Sequence, residues 1–427
     1  MNADLASRRS AVAPLVNSLL DTDFYKLLML QLIWRRYAEV PVTFSLVNRT
    51  RNVRLADEID LAELRAELDH VCTLAFTAEE VAWLGETEFY GRRDLFAPDF
   101  LAWLPSLRLP AYEATLKDGQ LELAFDGSWA EATLWEIPAL TIVSALRARR
   151  AIRSLGQDGR EHLYRCALGR LEAKAERLRA LPGLSLTDFG TRRRHGLEWQ
   201  RICLEVMRER LGPAFQGTSN VLLARSLEMP AVGTNGHELP MVLAALAPDD
   251  EALARAPYQV LEDWAGLYPQ ALRIVLPDTF GSVAFFRDAP AWVADWRGVR
   301  PDSAPPEEAG EALIDWWRRK GRDPLDKLLI FSDALDLELI EALHARFHGR
   351  VGVSFGWGTN LTNDMEGCAE APGLEPISLV CKVTEAGGRP AVKLSDNPAK
   401  ATGEAAEIAR YQRVFGAEGF VARAPRV

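Results

Sequence analysis

The segment Asp188-Phe189-Gly190-Thr191-Arg192-Arg193-Arg194 sets an acid, an aromatic ring, a glycine and three guanidinium groups side by side. Arginine forks match planar carboxylates and phosphates, and an aromatic face suits a flat heteroaromatic base. Arg192 and Arg300 stand out as partners for such anions, whereas Arg193 and Arg194 read as ordinary solvated charges. Two further polar turns follow apolar stretches. Gly217-Thr218-Ser219-Asn220 is one; Gly233-Thr234-Asn235-Gly236-His237-Glu238 is the other, and it sets an imidazole at the opening of a helix. Gly356-Trp357-Gly358-Thr359 can bring backbone N–H groups close to a phosphate. Asp278, Asp302 and Asp333 each end or follow an apolar strand, where carboxylates hold Mg²⁺ or ribose hydroxyls, or simply cap a helix. No set of direct metal ligands stands out. His344 and His348, four apart, mimic a metal pair but lack a third ligand and read as exposed helix residues. His195 lies beside the arginines and would do no more than assist there.

These groups need a scaffold that brings strand tips together. Apolar runs near Leu184–Leu186, Ala231–Val232, Arg273–Leu276, Leu328–Phe331, Val351–Phe355 and Ile377–Val383 alternate with helical patterns. Polar or glycine-rich turns follow most of them. Such alternation predicts parallel β/α units, closed into a barrel or open as a doubly wound sheet, and both bind ligands at the carboxyl ends of their strands. The first 134 residues have a different character. A helix after Thr22 leads to a strand over Val42–Val47, a charged helix over Ala56–Leu68 and an alternating strand over Leu121–Phe125, a mixed α+β pattern. Helices follow over about 136–150 and 161–181, and a last helix over Ala401–Val414 is expected to return to the first domain.

Composition narrows the function classes. The chain has 427 residues with 48% hydrophobic and 26% charged residues, as in a globular enzyme with ample cores. A net charge of -10 argues against nucleic acid or an anionic membrane as partner, so any anion site must come from local clustering. The apolar run Ile137–Leu146 is too short to span a bilayer. The N-terminus, with Arg8, Arg9 and Ala11-Val12-Ala13-Pro14, lacks a signal-peptide apolar core. Five cysteines with no C-x-x-C spacing predict reduced thiols and a cytoplasmic setting.

Taken in order, the motifs resemble those of the nicotinate phosphoribosyltransferase family. Asp21-Thr22-Asp23-Phe24-Tyr25-Lys26, Leu134-Trp135-Glu136-Ile137-Pro138, the three strand-end turns, Ser332-Asp333, Gly356–Thr359 and Lys393-Leu394-Ser395-Asp396 all fall in family order, from about residue 18 to 400. The resemblance implies an α/β chain: an irregular β/α barrel over 135–390, and an α+β domain built from 1–134 and a returning tail, 391–427. It implies that nicotinate and phosphoribosyl pyrophosphate give nicotinate mononucleotide, with ATP as co-substrate and Mg²⁺ as cofactor. His237 would be the phosphorylated nucleophile, with Asp278 and Asp302 as its catalytic companions and Asp302 also linked to ribose. Phe189 and Tyr25 would clamp the pyridine ring, Tyr25 coming from a neighbouring subunit of a homodimer. Arg49, Arg192, Thr218, Ser219, Arg300, Asp333, Gly356, Gly358 and Thr359 would bind the substrates.

Ser219 selects among pyridines in this picture. Nicotinamide-specific relatives carry aspartate there, which would repel a carboxylate about 4 Å away by about 4 kcal/mol at an effective dielectric near 20. One segment departs from the family: Arg300-Pro301-Asp302-Ser303-Ala304-Pro305 has alanine and proline where relatives have glycine and a polar residue. A left-handed backbone at Ala304 would cost about 1–2 kcal/mol. That departure leaves open a family member that binds nucleotide or pyrophosphate as a sensor without turnover. An enzyme of the same fold acting on another pyridine carboxylate is a further alternative.

Overall fold

The computed structural model describes residues 14–423, so the N-terminal reading at Arg8–Ala13 lies outside the described residues. Strands β1 (Pro41–Asn48), β2 (Tyr112–Lys117), β3 (Gln120–Ser128), β10 (Leu379–Ala386) and β11 (Arg389–Pro390) form one sheet in the order β11-β10-β1-β3-β2. All its pairings are antiparallel. Strands β4 (Leu186–Asp188), β5 (Phe215–Thr218), β6 (Ile274–Val275), β7 (Gly298–Val299), β8 (Leu328–Phe331) and β9 (Gly352–Trp357) form a second, parallel sheet in the order β5-β4-β9-β8-β7-β6.

The parallel sheet curls until its edges approach each other. Ala231 bridges to Thr218 at the end of β5, and the Asn235 side chain donates to the Ile274 carbonyl of β6 at 3.0 Å. Followed around the ring, the stations then come in chain order, which is the signature of a barrel rather than a doubly wound sheet. The strands are short, and most of their residues are buried, as strands covered by crossover helices must be. Every strand tip of the ring therefore points toward one mouth, where the polar turns lie.

Two expectations need correction. The run at Ile377–Val383 is not a barrel strand. As β10 it lies antiparallel to β1, with Leu46 opposite Cys381 and Asn48 opposite Leu379, and so leaves the barrel for the other sheet. A short apolar run carries no sign of its partner, and the open edge of β1 opposite β3 claimed it. The last helix, Ala405–Phe415, packs on the barrel side instead of the antiparallel sheet. Its Phe415 ring stacks on Phe280 at 4.6 Å, in a small apolar cluster with Leu253 and Ala256.

Candidate active site

Between the barrel mouth and the antiparallel sheet lies one cavity. Tyr25, Arg49, Phe189, Arg192, Ser219, His237, Arg300, Asp302, Asp333, Gly358 and Thr359 all line it. Three other expected residues stand behind this wall. Thr218 is fully buried and donates to Asp188 Oδ2 at 2.6 Å. Gly356 lies beneath Phe189, where a Cβ would come within 2.2 Å of the ring. Asp278 is buried behind His237 and accepts from Ser303 Oγ at 2.7 Å. Gly356 thus makes room for a ring rather than donating to a phosphate.

The turn after β4 explains the placement of Phe189. Asp188 accepts from the Gly190 amide at 2.8 Å and from Gln200 Nε2 at 2.7 Å, which fixes the backbone on both sides of the ring. Burial raises the Asp188 carboxyl to about 6 despite these donors. Gly190 must be glycine because a Cβ would meet Thr362 Oγ1 at 2.2 Å. The arginines that follow part company. Arg192 faces the cavity, 3.7 Å from Asp23 and 3.5 Å from Glu136. Arg193 also lines the cavity and donates to the Leu379 carbonyl at 2.9 Å. Arg194 is buried and forks onto both oxygens of Asp21 at 2.7 and 2.6 Å, so it is a structural tie and not a solvated charge.

Tyr25 comes from the same chain as Phe189. Gly233 and Gly236 accept its approach: a Cβ on the first would touch the Tyr25 amide at 2.7 Å, and one on the second would press on its ring at 3.1 Å. The Tyr25 hydroxyl donates to Glu136 at 3.1 Å. A clamp built within one chain removes the ground on which a shared dimer interface was expected.

His237 sits at the centre of the opposite end. Its Nδ1 lies 3.0 Å from Thr279 Oγ1; its Nε2 lies 3.0 Å from Asp302 Oδ2, 3.0 Å from Lys393 Nζ and 3.6 Å from Asp278 Oδ1. Burial pushes the imidazole down to about 4, Lys393 adds to this, and the two aspartates oppose it. The ring is therefore neutral at pH 7 and keeps a lone pair for nucleophilic attack. Around it, Arg300 donates to Asp302 at 3.1 Å and to the Asn235 carbonyl at 2.9 Å. Lys400 pairs with Asp333 at 2.5 Å, and Arg49 donates to the Lys400 carbonyl at 2.8 Å.

His237, Asp278 and Asp302 come close enough to suggest a metal centre. Lys393 argues against one. Its ammonium stands 3.2 Å from Asp278 and 3.9 Å from Asp302, where a cation held by this trio would have to sit. Asp333 is likewise matched by Lys400, so a Mg²⁺ site made of these side chains alone does not fit.

Asp23, Glu136, Lys382, Lys393 and Lys400 line the cavity as well, with no role expected for them from the sequence. Their signal was a charge inside an apolar run: Glu136 heads the Ile137–Leu146 stretch, and Lys382 interrupts β10. Ser219 is also less simple than expected. Its hydroxyl donates to Asp23 at 2.7 Å, so a carboxylate does stand at this spot, contributed by another segment. The loop at Ala304 shows no departure from ordinary backbone. The alanine with a left-handed φ, at 49°, is Ala334 on the cavity wall, while Pro305 directly precedes the helix Pro306–Arg319. Of the remaining histidines, His344 is buried and donates to the Pro182 carbonyl at 2.9 Å, with His348 stacked on it at 4.8 Å; neither is near the cavity wall. His195 is buried beside Tyr164.

Known proteins share both the sequence and the geometry. Residues 184–418 match the model of the nicotinate phosphoribosyltransferase family, and residues 20–144 match that of its N-terminal domain. A crystal structure of nicotinate phosphoribosyltransferase from Vibrio cholerae is 32% identical and superposes with a TM-score of 0.84 over 95% of each chain. The enzyme from Porphyromonas gingivalis is 27% identical at 0.83, covering 94% of this chain and all of its own. A putative one from Saccharomyces cerevisiae is 26% identical at 0.84, over 96% of this chain. With barrel, cavity and both family segments in agreement, this chain belongs to the nicotinate phosphoribosyltransferase family.

Proposed function

We infer that the protein joins the ring nitrogen of nicotinate to C1 of phosphoribosyl pyrophosphate, forming nicotinate mononucleotide and releasing pyrophosphate for pyridine nucleotide synthesis. One observation carries this: an aromatic pair, a cluster of cations and a neutral histidine open onto the same cavity. Phe189 and Tyr25 take the two faces of the pyridine, each contact contributing about 0.5–1.5 kcal/mol. Arg49, Arg193, Arg300, Lys382, Lys393 and Lys400 face the diphosphate and the 5′-phosphate, with the Gly358–Thr359 turn beside them. As the C1–O bond to pyrophosphate breaks, C1 gains oxocarbenium character, and these preset charges favour the departing anion. Asp302 and Asp333, both on the cavity wall, would take the ribose hydroxyls.

ATP enters the same reading as a phosphoryl donor to His237. Its γ-phosphoryl group moves to an imidazole nitrogen, ADP leaves, and later hydrolysis of the phosphohistidine couples that energy to the transfer. Mg²⁺ belongs to it as the counter-ion carried by the diphosphate, the usual mode for this cation. Among the described residues no helix is long and apolar enough to cross a membrane, and the five free thiols suit the cytoplasm. The sensor alternative rested on Ala304-Pro305, and that loop still delivers Asp302 to His237. Nothing in the geometry favours another pyridine carboxylate. Product formation from nicotinate, nicotinamide and quinolinate in parallel tests the assignment; turnover of nicotinate is expected to dominate, and preference for either of the others refutes it.

A further inference from the structure

The ring end of the cavity has a charge problem. Arg192, which lines the cavity at this end, already lies between Asp23 and Glu136, at 3.7 and 3.5 Å. Glu136 is paired with Lys26 at 2.6 Å, and Lys26 is shared with Glu238 at 2.5 Å. Three carboxylates thus face two full cations before any ligand arrives, and Lys382, the third cation acting on Glu136, is pulled down to about 7 by burial and Lys393. A pyridine carboxylate adds a fourth negative charge in a buried place, where an unmatched ion is so costly that a proton usually moves instead.

Resting on the nicotinate reading of the cavity, we propose that Asp23 sets specificity for the acid by taking up a proton as nicotinate binds and donating it as a hydrogen bond to the ligand carboxylate. Asp23 is 2% exposed and cannot swing away. The Phe24 amide binds the Ser219 carbonyl at 2.7 Å, Asp23 itself bridges to Asn220, and Ser219 Oγ donates to Oδ1. Thr191 also donates to the carboxylate, and Oδ2 lies 3.7 Å from Arg192, beyond a direct hydrogen bond.

The groups around it separate Asp23 from its neighbours. From the turn after β4 it faces Arg192 and Thr191, with Asp188 behind; from the helix Glu136–Ser154 it faces Glu136; from its own helix, Tyr25. The Asp21–Arg194 pair is closed on itself. Burial raises Asp23 above the ordinary carboxylate value, and Arg192 and Ser219 only partly offset it. Glu136 goes the other way: burial would raise it, but Lys26 and Arg192 hold it at about 2, so it stays ionised. The other nearby candidate is Lys382, which burial and Lys393 pull down to about 7. Its other charged neighbours are Glu136 at the ring end and Arg49 and Asp302 toward the far end, so it stands between the two and is the rival that the experiment must separate from Asp23.

With Asp23 ionised, the amide of nicotinamide can donate to it; with Asp23 neutral, the carboxylate of nicotinate can accept from it. Selectivity for nicotinate should therefore weaken as pH rises, with its KM climbing about tenfold per pH unit above the Asp23 pKa and that of nicotinamide staying level. Calorimetric titration of the native protein with nicotinate, in buffers of different ionisation enthalpy near pH 7.5, counts the protons directly. Uptake approaching one proton per nicotinate and none per nicotinamide is expected. Asp23→Asn should abolish the uptake, and Lys382→Met should retain it. Nicotinate binding without uptake, or uptake that survives Asp23→Asn and disappears in Lys382→Met, overturns the assignment. If Asp23→Asn does not fold, the native pH profile of the two KM values decides: parallel profiles overturn it. Absence of both nicotinate binding and nicotinate mononucleotide formation would instead refute the functional reading beneath it.

Discussion

The two ends of the cavity are built on opposite principles. At the ring end, aromatic faces do the holding, and Arg192 is outnumbered by Asp23 and Glu136. At the far end, Arg49, Arg193, Arg300, Lys382, Lys393 and Lys400 exceed Asp278, Asp302 and Asp333. A diphosphate brings several negative charges and needs that excess. A pyridine ring brings one at most and needs shape. The difference shows how a chain of net charge -10 binds a polyanion: clustering within one cavity acts at short range in a low dielectric, where the global field is screened.

Several substitutions break or sharpen this contrast. His237→Ala should have the largest effect, removing the acid-labile label from γ-labelled ATP and reducing ATP-stimulated turnover to the level without ATP. Lys393→Met comes next. It leaves Asp278 and Asp302 without their shared ammonium, and losing one partner of a buried charge set costs about 3–5 kcal/mol. It also removes a cation that depresses His237, so the imidazole should protonate at higher pH. Native phosphoenzyme should form evenly above about pH 5.5 and fall toward pH 4, while the Lys393→Met profile falls earlier. The stability linkage has the same direction. A histidine whose folded pKa lies below 6.5 contributes stability that is present above 6.5 and lost as pH falls toward 4.

The paired arginines give a finer test. Arg194→Met strands buried Asp21 and should lower unfolding free energy by about 3–5 kcal/mol, read by denaturant titration. Arg192→Met, at a half-exposed side chain, should cost less stability than Arg194→Met and raise KM for nicotinate instead. Smallest of all, Phe189→Leu keeps bulk over Gly356 but loses the aromatic face, a change of about 0.5–1.5 kcal/mol in nicotinate binding. Equal losses of phosphoribosyl pyrophosphate and nicotinate binding in that variant would contradict the division of the cavity.

Much of this was legible in the sequence because strand tips advertise themselves. Glycine and polar turns after apolar runs located Phe189, His237 and Gly358, and the alternation of strands and helices pointed to parallel β/α units without deciding between a barrel and an open sheet. What stayed hidden depends on contacts between distant segments. Nothing local to Ser219 indicates that Asp23 lies against it, some 196 residues away. Nor does Arg194 differ on paper from Arg192; Asp21 makes it structural. The sheet membership of Leu379–Ala386 was equally hidden, because an apolar run fits either partner. Glycine was misread once: at Gly356 the missing side chain serves Phe189 and not a phosphate.

The most direct measurement is steady-state formation of nicotinate mononucleotide from nicotinate and phosphoribosyl pyrophosphate, with and without ATP, in the native protein and in His237→Ala. The account predicts product in the native protein, stimulation by ATP, and loss of that stimulation in the variant. Absence of product, or ATP stimulation that persists without the imidazole, would contradict it.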